Sequence, residues 1–128
     1  MPPLKIDLTA PTFSRDLADA IKRHRSVKAD LNSALESIEK DPNMGDWIPG
    51  LGEEVRKLRV GVKKDGIGKS KGYRLIYKVD RVNSVITPLF FHFKPDLALV
   101  PTKEIAEVLK SLSAAPPAPP SDISGPIN

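Results

Sequence analysis

No cysteine occurs in the 128 residues, which excludes disulfides, thiolate nucleophiles and Cys-type zinc sites. Histidine is nearly as scarce: His24 and His92 are the two present, too few for a histidine-built metal centre. No apolar run approaches the roughly 20 residues a membrane-spanning helix needs. The opening Met-Pro-Pro-Leu-Lys also lacks the apolar stretch of a secretory signal. A soluble cytoplasmic protein with no membrane association is therefore expected.

What is present is charge, unevenly placed. The formal net charge is +4, yet residues 1–55 carry 7 Lys/Arg against 10 Asp/Glu. Residues 56–110 reverse this with 13 against 5. Separation of this kind points to a half that faces a polyanion, the alternative being a lysine-studded solvated surface. The length fits one domain with a core of its own.

Periodicity orders the elements. Leu4, Ile6 and Leu8 alternate with polar residues as a first strand. Pro11-Thr12 reads as a helix start with Thr12 as N-cap, and Phe13, Leu17 and Ile21 recur at i+4 as far as about Arg25. Ser26 can cap a second helix bearing Val27, Leu31, Leu35 and Ile38, ended by Asp41-Pro42. Residues 45–52 are turn-rich, with Trp47 read as a loop anchor. Three strands follow. In residues 55–62, Leu58, Val60 and Val62 share one face and Lys57 and Arg59 the other. Residues 63–72 form a Gly/Lys-rich hairpin loop, and Tyr73 to Val79 return. Residues 85–93 make the last strand, where Pro88 denies one ladder donor and favours an edge or bulge. A helix over 101–112 buries Ile105, Val108, Leu109 and Leu112. Residues 113–128, with five prolines, are expected as a disordered tail. The order is β-α-α-β-β-β-α: an α+β domain over residues 1–112, its helical hairpin packed on a mainly antiparallel sheet.

Eight basic residues fall between 56 and 74: Arg56, Lys57, Arg59, Lys63, Lys64, Lys69, Lys71 and Arg74. Strand alternation sets Lys57 and Arg59 on one face, where a hairpin partner can bring Arg74 alongside. Like charges opposed across strands repel by a few tenths to about 1 kcal/mol per pair, a cost that a bound polyanion relieves. No phosphate-binding P-loop is present, because G-x-x-x-x-G-K-[ST] is missing.

Taken with these features, the run Asp41 to Gly50, then Arg56-Lys-Leu-Arg59, then Gly68-Lys-Ser-Lys-Gly-Tyr-Arg-Leu-Ile-Tyr77 resembles the toxins of type II toxin–antitoxin modules. It is most similar to the HigB-like branch of the RelE/ParE superfamily, over roughly residues 4–112. The resemblance implies an endoribonuclease (an mRNA interferase) that cleaves messenger RNA, usually on the translating ribosome. It implies neither metal nor cofactor, and a cognate antitoxin as partner. The ribose 2′-hydroxyl attacks phosphorus in such enzymes, so a base, an acid and charge stabilisation are needed. Carried over by position, Arg74 clamps the scissile phosphate, and Lys57 and Arg59 stabilise charge. Lys94 matches a lysine after the last strand, and Lys69 and Lys71 hold flanking RNA or ribosomal RNA backbone. Arg56, Lys63 and Lys64 extend the RNA-binding surface, and Tyr73 is placed to stack on a base.

The sequence departs from the family's pattern late in the chain. His92 stands where a tyrosine is common, Pro95 where some members have arginine, and Leu99-Val100-Pro101 offers no late tyrosine. Imidazole titrates near 6.5 when unperturbed, which makes His92 the replacement acid or base. The alternative is a partly buried histidine among Phe90, Phe91 and Phe93. Tyr77 shares a face with Leu75 and Val79 and reads as core, and His24, between Arg23 and Arg25, reads as surface. Two other functions stay open: a superfamily member that poisons DNA gyrase by binding, and an RNA- or ribosome-binding module without catalysis.

Overall fold

The computed structural model describes residues 4–93 and 102–114. Pro11 opens helix α1 (Pro11–Arg23), because its missing N–H costs nothing in the first turn. Thr12 is not the N-cap expected from sequence. Ala10 holds that position, and the Thr12 hydroxyl donates instead to the Leu89 carbonyl at 2.7 Å. Helix α2 (Val27–Lys40) buries Val27, Leu31, Leu35 and Ile38, as their spacing requires. Ser26 stands at its N-cap position in a helical conformation and makes no side-chain cap. Asp41, before Pro42, ends the helix.

Five strands form one sheet in the order β1-β5-β4-β3-β2. Strand β1 (Lys5–Ile6) lies parallel to β5 (Val85–Phe93), and the other pairings are antiparallel. Between them are β4 (Tyr73–Asp80) and β3 (Val55–Val60). The turn-rich segment after α2 also contributes a two-residue edge strand, β2 (Asp46–Trp47), too short for periodicity to reveal. Pro88 behaves as its chemistry demands: the β4–β5 register shifts between Ile76 and Tyr77, opposite Phe90 and Pro88.

The loop after β3 is more ordered than a glycine-rich sequence implies. A 3-10 turn (Lys63–Asp65) is closed by Gly66 at φ +68°, and Val62 bridges Ile67. Gly72 is required by close approach, since a Cβ there would collide with the Val60 carbonyl oxygen. Helix α3 (Thr102–Ala114) buries Ile105 and Leu109 and runs past the expected end at residue 112. The remainder of the expected tail, residues 115–128, lies outside the described residues.

Register sorts the side chains into two faces. Tyr73, Leu75, Tyr77 and Val79 share one with Phe91 and Ile86, all of them buried. Their rings pack tightly: Tyr73 stacks on Phe91 at 4.5 Å between centroids, and Phe13 of α1 meets Phe91 at 6.5 Å. Tyr77 is core, as its position predicts; its hydroxyl accepts from the Gly45 N–H at 3.1 Å and donates to the Pro42 carbonyl at 3.2 Å. The other face carries Lys57, Arg59, Arg74 and His92.

Helix α1 also finishes the sheet. Strand β1 covers only the first residues of β5, which leaves backbone groups further along without a strand partner. Thr12 takes the Leu89 carbonyl, and Asp16 accepts the Phe91 N–H at 3.0 Å. Two side chains of one helix, a turn apart, therefore substitute for a neighbouring strand.

Candidate functional site

Pairing register brings the predicted cations together. Arg59 stands directly opposite Arg74, and Arg74 directly opposite His92, so the three form one row across β3, β4 and β5. Lys57 follows two residues along β3 on the same face. A cleft of about 410 Å³ opens here, lined by Met44, Asp46, Lys57, Leu58, Arg59, Lys69 and Arg74. His92 is one strand further in and does not line it. Met44 and Asp46, from the segment around β2, were not singled out by the sequence; chain proximity gives no sign that this loop folds back as a wall.

Arg74 is the unusual member. Its Nη1 is buried and has no hydrogen-bond partner among the described residues. Burial, and secondarily the positive charge of Arg59, push the guanidinium below its ordinary value. A guanidinium stays protonated all the same, so this is a partly desolvated cation facing an exposed one. An arrangement of this kind is stabilised by an anion seated between the two, and phosphate matches the planar fork of arginine.

Beside it, His92 is held from behind. Its Nε2 lies 2.8 Å from Asp16 Oδ2, the same oxygen that accepts the Phe91 N–H, and the Asp16 side chain is 6% exposed. His92 Nδ1 is buried and has no hydrogen-bond partner among the described residues. The Phe90 ring meets the imidazole edge-on at 5.4 Å. Asp16 is the site residue that sequence reading missed. A signal existed: with Phe13, Leu17 and Ala20 it sits on the apolar stripe of α1, where a carboxylate needs a partner.

The remaining candidates divide. Lys63, Lys64, Lys69 and Lys71 are exposed around the hairpin between β3 and β4, free to meet a flexible polyanion. Lys94 lies outside the described residues. Arg56, expected to bind RNA, points to the opposite face from Lys57 and Arg59 and is consumed there. It donates to Glu54 at 2.9 Å and to the Gly45 carbonyl at 2.8 Å, and lies over the Trp47 ring. Arg81 donates to the same Glu54, and these hydrogen bonds, Arg81's foremost, hold the carboxyl at about 2.

Tyr73 is corrected likewise. It is 1% exposed and stacked on Phe91, so it cannot offer a face to a base. Its hydroxyl lies 2.9 Å from His24 Nδ1, which makes His24 a packed side chain rather than a surface one. Trp47 is 52% exposed, an outward ring braced by Arg56 rather than a buried anchor.

Among the described residues, no group of three or more His, Asp or Glu side chains gathers as a metal site, and no helix is long and apolar enough to cross a membrane. Comparison with protein families finds one described as ParE toxin of type II toxin-antitoxin system, parDE, which matches residues 8–90, more than half of the chain. A search of curated proteins finds no match.

Proposed function

The chain belongs to the ParE toxin family of type II toxin–antitoxin systems, and from the cationic row on its sheet face we propose that it is a metal-independent endoribonuclease, HigB-like in its chemistry. It cuts messenger RNA on the ribosome and thereby inhibits translation. Membership implies a cognate antitoxin as partner, and acidic residues of that protein would neutralise the basic cleft.

One observation carries the reading: half-buried Arg74, with its Nη1 buried and unpartnered among the described residues, lies between Arg59 and His92 on a single sheet face. A phosphodiester uses all three. Arg74 binds the non-bridging oxygens, and Arg59 and Lys57 stabilise the added charge of the phosphorane. His92 takes the proton of the 2′-hydroxyl as its oxygen bonds to phosphorus. The bond to the 5′ oxygen then breaks, and that oxygen collects a proton from the cationic rim or from water. The products are a 2′,3′-cyclic phosphate and a 5′-hydroxyl. Lys63, Lys64, Lys69 and Lys71 hold flanking backbone.

The test is cleavage of a messenger RNA with and without translating ribosomes, in excess chelator, by wild type, Arg74→Ala and His92→Ala. Chelator-resistant cuts bearing cyclic-phosphate ends, abolished in Arg74→Ala, are expected. Intact RNA with a folded, antitoxin-free protein overturns the enzyme reading. The matched family favours a second one, a poison of DNA gyrase that acts by binding. Inhibition of supercoiling by the same protein, with RNA untouched, would establish it.

A further inference from the structure

Asp16 lies on α1, remote in sequence from every residue assigned to the cleft, yet its carboxylate touches His92. One oxygen, Oδ2, serves both the His92 Nε2 at 2.8 Å and the Phe91 backbone N–H at 3.0 Å. The N–H contact fixes that oxygen relative to the strand that carries His92. A carboxylate can only accept, so in the neutral imidazole the proton must sit on Nε2 and the lone pair on Nδ1. Nδ1 is the ring nitrogen with no partner, on the residue paired with Arg74, whose Nη1 is likewise unpartnered. The Cβ atoms of directly opposed cross-strand residues stand about 5 Å apart, so the Arg74 and His92 side chains leave the sheet side by side.

We propose that Asp16 is the positioning residue of His92: by taking the Nε2 proton in a hydrogen bond it sets the tautomer in which Nδ1, buried in the free protein, accepts the 2′-hydroxyl proton beside Arg74 once bound RNA uncovers it. The proposal rests on the ribonuclease reading above. When Nδ1 gains that proton, the imidazolium stays paired with the Asp16 carboxylate. The charged groups around the pair are Arg15 of α1, whose Nη2 is 3.5 Å from Asp16 Oδ1, and Arg74 of β4.

Two measurements on the full chain test it. Nitrogen-15 resonances of the imidazoles report which ring nitrogen carries the proton. Single-turnover cleavage of a messenger RNA reports its consequence. Wild type is expected to show His92 protonated at Nε2. Asp16→Ala should lose that preference and cleave about tenfold or more slowly, with KM within about twofold. Asp16→Asn keeps an oxygen in the place of Oδ2, so the tautomer and part of the lost rate should return. A role confined to holding α1 on the sheet would move stability alone, leaving the tautomer and the rate unchanged in folded Asp16→Ala. That result overturns the proposal, as does a wild-type His92 protonated at Nδ1. Should Asp16→Ala fail to fold, the wild-type and Asp16→Asn spectra still decide. A wild type with the Nε2–H tautomer that cuts no RNA overturns the ribonuclease reading; one that cuts RNA with the Nδ1–H tautomer overturns only the placement of Asp16.

Discussion

Arg59 and Arg74 face each other directly across the β3–β4 ladder, with no carboxylate of the described residues bonded to either guanidinium. Opposed like charges weaken a sheet, and Arg74 adds the cost of burial. The pair is a standing destabilisation that an anion cancels.

Arg74→Leu should therefore separate stability from activity. Its removal relieves both the repulsion and the unpartnered guanidinium, so the melting temperature should rise by about 3–6 °C, a gain of about 1 kcal/mol. Cleavage should fall by about 10²-fold or more, the scale on which an oriented charge stabiliser acts. Calorimetry beside an RNA cleavage assay measures both.

Binding of a short single-stranded RNA should weaken steeply with salt. Each phosphate neutralised contributes about −0.7 to the slope of log K against log salt. Lys69 lines the cleft and is exposed, so Lys69→Ala should flatten the slope by about that amount. A slope equal to wild type would remove Lys69 from the interface.

Acid should act through Glu54. Its folded-state carboxyl titrates at about 2, held down chiefly by Arg81. A depressed value means the contribution is complete above the ordinary carboxylate range, near pH 4.5, and is lost as pH falls toward 2. Denaturant midpoints recorded between pH 6 and pH 2.5 should decline for wild type, and decline less for Glu54→Gln.

Tyr77→Phe should destabilise by about 1–2 kcal/mol, because the Gly45 N–H and the Pro42 carbonyl both lose their partner. Tyr77 lies on the face opposite the cationic row, so cleavage by the folded variant should stay within about twofold of wild type. Urea titration and a cleavage time course check the two halves.

Much of this was legible in residue order. Apolar spacing located both hairpin helices, alternation located the long strands, and Pro88 marked the irregularity in β5. The cationic row was legible in kind, since Lys57 and Arg59 share a parity along their strand. The same parity excludes Arg56, and counting charges instead of faces is what assigned it to RNA. Tyr73 was misread because alternation says which residues share a face, not which face is covered; Phe91 and His24 decide that from a distance in sequence. Asp16 escaped for a related reason. A carboxylate on an apolar stripe announces a partner without naming it, and the partner lay 76 residues away in His92.

The edge of β5 carries one last consequence. Because α1 occupies the Leu89 carbonyl and the Phe91 N–H, that margin offers nothing at those two positions to an incoming strand from another chain. Deuterium uptake at the Phe91 amide becomes a clock for departure of the helix, independent of how fast the β4–β5 ladder frays. Lateral growth of the sheet is left to its other side, where β2 ends after two residues and β3 runs on without it. Among the described residues, α1 thus caps β5 at two positions, whereas β3 beyond Lys57 has no strand on its outer side.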